Sequence, residues 1–184
     1  MNASSTELIS ILHTDKPATD RAEKLQLYGR FIGDWDAKVI THAGDGARHE
    51  ASGEIHFGWI LQGRGIQDVW MTPRLAERAN ASPLPVAGNW YGTTLRIYDP
   101  NLDAWRIYWI DPATNSFRQQ IGRPCGNDIV QEGKTEQGEL TRWSFTKVTP
   151  SSFPSSFHWL GEQSPGGDNQ WRLAVEVLAR RKVT

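Results

Sequence analysis

The sequence predicts an all-β protein: an antiparallel up-and-down barrel of about ten strands, with one or two short helices ahead of it. Three observations predict it. Beyond residue 31 the apolar side chains recur every second residue. The segments between these runs are turn chemistry, reading AGDG, QGRG, DPNLDA, DPATNS, EGKTEQGE and SPGGDN. No helical pattern separates consecutive strands, so the strands form a meander rather than a parallel sheet, and closing the meander removes its edges.

The elements follow in order. Residues 4–13 carry Leu8, Ile9, Ile11 and Leu12, and residues 20–31 carry Ala22, Leu25, Leu27, Tyr28 and Phe31 near a 3.6-residue period. Asp20 stands where a helix N-cap is expected. Both stretches are amphipathic helices that can cover one surface of the barrel. Strands are then expected over 34–41, 53–60, 65–71, 91–99, 104–111, 117–122, 128–132, 139–148, 157–161 and 170–181. The longest break, 72–89, contains Pro73, Pro83 and Pro85 and reads as a loop or lid. Length fits one domain, 1–184, with a helical segment over 1–30 and the barrel over 31–184.

Charge and composition narrow the partners. Twenty basic against 21 acidic side chains, a net charge of −1, supply no electrostatic footprint for nucleic acid. No apolar run has the length of a membrane span, and the N-terminus lacks the basic and apolar regions of a secretion signal, so the expected compartment is cytoplasmic. The single cysteine, Cys125, excludes an internal disulfide and a thiolate zinc site. Nine tryptophans in 184 residues are the unusual count; they either fill the core or line a cavity.

The run Gly33-Asp34-Trp35, at the start of the first strand and after a short helix, resembles the opening motif of lipocalin-like (calycin) barrels. In that family the tryptophan closes the barrel floor beneath an arginine of the last strand. The resemblance gives this structural role to Gly33, Trp35 and either Arg180 or Arg181. Stacking of guanidinium on indole is physically favourable. The stretches FIGDWD (31–36), GRGIQDVW (63–70), GTTLRIYDP (92–100) and SFHWLGEQS…W (156–171) are similar to a bacterial family of uncharacterised lipocalin-like domains. That resemblance covers roughly residues 28–181 and implies a fold but no reaction. The haem-binding nitrobindin relatives continue the motif as Trp-x-Gly-x-Gly. Here Asp36, Ala37 and Lys38 follow Trp35, so no haem or other cofactor is expected.

Strand phasing gives the expected interior. With Trp35, Ala37 and Val39 pointing in, alternation adds Ile55/Phe57/Trp59, Ile66/Asp68/Trp70, Leu95/Ile97, Trp105/Ile107/Trp109, Trp143/Phe145 and Trp171/Leu173/Val175. Gln119 joins them, whereas Arg96 with Tyr98 and Arg106 with Tyr108 form an outer face. Trp90 stands at a strand entrance and Trp159 is left unassigned. An apolar cup with few polar groups is the profile of a small-molecule site. The expected function is binding of a small hydrophobic or aromatic molecule, with Trp59, Arg64, Asp68, Trp70, Trp109, Gln119 and Trp143 as contacts. The alternative is a cofactor-independent enzyme, a lyase, isomerase, hydratase or cyclase, with Asp68 as catalytic acid or base. The competing structural reading makes Asp68 an acceptor for indole N–H groups in a filled barrel.

Two groupings of histidines are candidate ligands or bases. His42, His49 and His56 recur every seven residues, and a hairpin centred near His49 brings His42 opposite His56, but the intervening segment 43–52 is a poor frame for a metal. No metal is expected. His158 and Glu162 flank Trp159 and are candidates for a base at the barrel mouth. A homodimer through a barrel face or the N-terminal helices is a common arrangement for such domains.

Overall fold

The computed structural model describes residues 3–78, 89–166 and 170–183. Helix α1 (Ala3–Leu12), the two-residue strand β1 (His13–Thr14), a short 3-10 turn (Thr19–Arg21) and helix α2 (Ala22–Gly29) precede the barrel. Its strands are β2 (Gly33–His42), β3 (Arg48–Ile60), β4 (Gly65–Thr72), β5 (Trp90–Asp99), β6 (Ala104–Asp111), β7 (Ser116–Cys125), β8 (Asp128–Lys134), β9 (Leu140–Thr146), β10 (Ser156–Ser164) and β11 (Arg172–Arg181). A four-residue helix α3 (Leu75–Arg78) follows β4. The expected segment 72–89 is therefore partly helical; Pro83 and Pro85 lie outside the described residues.

Each strand from β2 to β11 pairs antiparallel with the next, and β11 returns to β2 through Ala179↔Ala37 and Arg181↔Trp35, so the ten-stranded barrel is closed. Closure leaves no ladder edge within it; β1 extends the sheet at the end of β3, opposite Trp59 and Ile60. Among the described residues no helix is long and apolar enough to cross a membrane.

The end where β2 begins and β11 finishes, here the lower end, is plugged by α2 and the residues after it. Leu25, Tyr28 and Phe31 are fully buried. Tyr28 meets Trp105 edge-on at 4.9 Å between ring centroids, and Phe31 stacks on Phe145 at 4.8 Å. Such ring pairs add stabilisation beyond their buried area. Asp20 does not cap α2: Arg21 occupies the N-cap position and makes no side-chain capping bond, while Asp20 faces Arg64 at 3.3 Å. The floor arginine is Arg181. Its guanidinium lies 4.2 Å from the Trp35 ring centroid and donates to the carbonyls of Pro154 (2.9 Å), Ile32 (2.6 Å) and Arg30 (2.8 Å). Arg180 is exposed.

Three strand phases differ from expectation, and register gives the reason in each. Residues opposite one another on antiparallel strands share a face. Because Asp68 pairs Thr94 and Trp70 pairs Gly92, β5 turns Gly92, Thr94, Arg96 and Tyr98 inward, and Leu95 and Ile97 outward. Likewise Trp105 pairs Gly122 and Ile107 pairs Gln120, so β7 buries Gln120 and exposes Gln119. A bulge between Gly161 and Glu162 shifts the β10–β11 register. Above it Leu173 sits opposite Glu162 on the outer face, and the Trp171 ring lies 4.2 Å from the Arg142 guanidinium. Trp171 is therefore outside the barrel.

Candidate functional site: a tryptophan cup above a buried ion pair

The upper half of the barrel holds a cavity of about 180 Å³ lined by Trp70, Trp90, Trp109, Trp143 and Trp159, with Thr94, Arg96, Asp111, Arg118, Thr141 and Gln163 among its polar neighbours. The rings form a continuous series. Trp70 meets Trp159 at 5.4 Å, Trp159 meets Trp143 at 5.6 Å, and Trp143 meets Trp109 edge-on at 6.3 Å. Trp159 and Trp143 come from the neighbouring strands β10 and β9, which place Trp143 beside Gly161 and Phe145 beside Trp159, while Trp70 on β4 and Trp109 on β6 reach them across the barrel interior. Two glycines make room for them. A Cβ at Gly92 would overlap the six-membered ring of Trp109, and one at Gly161 would meet Val175 Cγ1 at 2.7 Å and the Trp159 ring at 2.8 Å.

The cup's floor is an ion pair. Asp68 on β4 and Arg96 on β5 are in direct contact through Oδ2 and Nη1, and the Thr94 backbone N–H donates to Asp68 Oδ1 at 3.2 Å. The guanidinium sits among Tyr28, Phe57 and Phe145, with ring centroids 5.1, 5.7 and 5.8 Å away. Burial pulls the Arg96 pKa down to about 10, which leaves it cationic at neutral pH. Burial pushes the Tyr28 hydroxyl upward, against the pull of Arg96, so it remains a neutral phenol.

Near the mouth, Asp111 is buried and accepts from Ala113 N–H (2.8 Å), Thr114 N–H (3.3 Å), Tyr91 N–H (3.4 Å) and the Thr114 hydroxyl (2.9 Å), fixing the turn between β6 and β7. Arg118 is half-buried there and donates to the Phe117 carbonyl at 2.7 Å. Arg78 closes over the start of β5, donating to the Trp90 carbonyl at 3.1 Å and stacking on Tyr91 at 4.6 Å.

Of the residues expected to form the site, the barrel brings Trp70, Trp109 and Trp143 together in one cavity, with Asp68 beneath it behind Arg96. Trp59 is buried at the lower end, where its ring crowds Gly29. Arg64 is exposed in the β3–β4 turn and Gln119 lies outside, so neither reaches the cup. Sequence reasoning missed Arg96, Arg118 and Trp159. The signal for Arg96 was the conflict it creates: Asp68 points inward, and a buried carboxylate needs a counter-charge from a neighbouring strand.

The histidines serve the outer wall. His42 and His158 both bond the Glu176 carboxylate, at 3.1 and 2.8 Å, and His56 bonds Asp34 at 2.6 Å. The β2–β3 hairpin pairs His42 with Arg48 and His49 with Thr41, not His42 with His56. Glu162 binds Arg142 at 2.9 and 3.0 Å rather than completing a base with His158. No cluster of three or more His, Cys, Asp or Glu that could hold a metal occurs among the described residues.

No family model matches the chain, and no curated protein matches it. Solved structures do. Rv2717c from M. tuberculosis is 11% identical, with a TM-score of 0.56, covering 91% of this chain and 100% of that one. The S-type phycobiliprotein lyase CPES from Guillardia theta is 9% identical, with a TM-score of 0.55, covering 91% of this chain and 99% of that one. At these identities the likeness is one of fold: a lipocalin-like, calycin-type barrel, as the Gly33-Asp34-Trp35 motif implied.

Proposed function

We propose that the protein binds a small hydrophobic or aromatic molecule in the tryptophan cup at the upper end of its barrel. The single observation that carries this reading is the series Trp70–Trp159–Trp143–Trp109 around an unfilled volume, above a floor already closed by Asp68 and Arg96. A filled barrel would interdigitate those rings, because protein interiors pack to crystal-like density. The about 180 Å³ of the cavity falls below the range of drug-sized sites, which suits a molecule of one or two rings. Among the solved neighbours, a phycobiliprotein lyase uses the same fold.

Binding is favoured over catalysis by Asp68. Its carboxylate engages Arg96 below the cavity instead of lining it, an arrangement that builds a floor rather than presenting a proton-transfer group. Titration of the intrinsic tryptophan emission with a panel of small apolar compounds tests the reading. Entry of a ligand quenches or shifts the emission, and Trp109→Ala weakens the response. An emission unchanged across the panel contradicts it.

A further inference from the structure

Three charged groups of the cup are engaged and a fourth is open. Asp68 and Arg96 are in direct contact beneath the rings, and the Asp111 carboxylate accepts from the N–H groups of Tyr91, Ala113 and Thr114 and from the Thr114 hydroxyl. Arg118 lies at the upper end, near the start of β7, and pairs with Trp109, so the two share the inward face. It lines the cavity and is half-buried. Its Nη1 donates to the Phe117 carbonyl at 2.7 Å, while Nε and Nη2 keep accessible surface and have no acceptor among the described residues. On the outer side of Arg118, Lys134 and Glu136 contribute one charge of each sign. Gln163, paired with the buried Thr141 near the end of β10, lines the same end of the cavity. A guanidinium presents its donors in a planar fork that matches a carboxylate, and such charge-assisted bonds are roughly twice as strong as neutral ones.

Resting on the binding reading above, we infer that the cup takes an aromatic carboxylate. Its ring lies among Trp70, Trp159, Trp143 and Trp109, and its carboxylate meets the Arg118 guanidinium at the mouth, with the Gln163 amide as a second donor. A neutral molecule of the same shape fills the rings but leaves the Arg118 fork to water. An ammonium of that shape meets Arg118 as a like charge, and the Asp111 carboxylate is taken up by its own turn. The mouth receives the charge rather than the floor. Arg96 is 2% exposed and committed to Asp68, so a carboxylate carried down to it would lose its water without gaining a free partner. At the half-buried Arg118 the carboxylate keeps part of its hydration.

Calorimetric titration with three probes of one ring system tests this: sodium 2-naphthoate, 2-acetonaphthone and 2-(aminomethyl)naphthalene, which are anionic, neutral and cationic at neutral pH. The carboxylate is expected to bind about tenfold or more tightly than the ketone, the worth of one charge-assisted hydrogen bond, and the amine most weakly. Raising the salt to about 0.5 M should shrink the carboxylate-to-ketone ratio, because the mouth is open to screening. Arg118→Gln removes the charge and should bring the ratio to about one; the ratio is read within each protein, so a change in overall affinity does not enter it. Equal binding of carboxylate and ketone by the unmodified protein, or tighter binding of the ketone, overturns the inference and needs no variant to fold. A ratio indifferent to salt overturns the ionic contact, and one that persists in Arg118→Gln overturns the role of Arg118. Tightest binding by the amine overturns the sign of the head group. Binding of none of the three removes the cup reading itself, a result distinct from parity, which removes only the carboxylate.

Discussion

Asp68 and Arg96 meet across β4 and β5 with neither side chain appreciably open to solvent, at 0% and 2% exposure. They form a charged layer between two aromatic compartments: the α2 plug below, with Tyr28 and Phe31, and the tryptophan cup above. A buried pair is costly to break because one charge is left without its counter-ion, even where forming it contributes little. This layer therefore fixes the register of the central strands and sets the depth of the cup.

Asp68→Ala should cost about 3–5 kcal/mol of stability, the usual penalty for stranding a buried charge. Urea denaturation measures it through the midpoint. The double replacement Asp68→Leu with Arg96→Met should recover most of the loss, because it removes both charges and keeps apolar volume. A single variant within about 0.5 kcal/mol of the parent, the scatter of surface substitutions, would mean that the pair is solvated.

Arg181 and Arg180 should behave oppositely despite being neighbours. Arg181 stacks on Trp35 and ties three carbonyls, so Arg181→Ala should lose at least ~2 kcal/mol, with hydrogen bonds to charged groups supplying most of it. Arg180 is exposed and pairs with Asp36 only through the backbone ladder, so Arg180→Ala should stay within about 0.5 kcal/mol. Thermal melts of the two variants separate these outcomes.

Gly92→Ala should damage the cup more than the fold. The new Cβ meets the Trp109 ring and the Asp111 Cβ, so this wall of the cup must shift. The expected result is a fall of about tenfold or more in affinity for an aromatic probe, as one lost ring contact implies, with a smaller change in melting temperature. An unchanged affinity would place the ligand elsewhere.

On the outer wall, Glu176 carries a pH dependence. Burial raises its pKa, but the hydrogen bonds and charges of His158 and His42 outweigh burial and hold it below the ordinary value of 4.5. A carboxyl depressed in the folded state contributes stability above its unfolded pKa, and that contribution is lost as pH falls through the folded pKa. Stability should therefore decline below about pH 4.5, and Glu176→Gln should flatten that part of the curve. A parallel decline in parent and variant would assign the acid sensitivity to other carboxylates.

Much of this architecture was legible in the chain because turn chemistry and two-residue alternation act locally. The meander and its closure follow from such local signals, the floor role of Trp35 is what the resemblance of Gly33-Asp34-Trp35 to the calycin motif implies, and phase alone turns Trp70, Trp109 and Trp143 inward. What alternation does not carry is which of two plausible faces points in. The run 93–98 reads Thr-Thr-Leu-Arg-Ile-Tyr, so burying Leu95 and Ile97 looks better strand by strand. The pairing of Asp68 with Thr94 reverses it, and the interior gains an arginine because an aspartate is already there. Trp171 was misplaced for another reason: a bulge at Gly161/Glu162 changes face without leaving any mark in the periodicity of its partner strand.

The central claim, that the upper cup and not another aromatic cluster receives the ligand, is tested most directly by the indole N–H resonances of the nine tryptophans in a ¹H–¹⁵N spectrum during titration with 2-acetonaphthone. Binding in the cup shifts Trp70, Trp90, Trp109, Trp143 and Trp159, while Trp35, Trp59, Trp105 and Trp171 stay in place. No shift at any cup tryptophan, or shifts confined to Trp35, Trp59, Trp105 and Trp171, would contradict it.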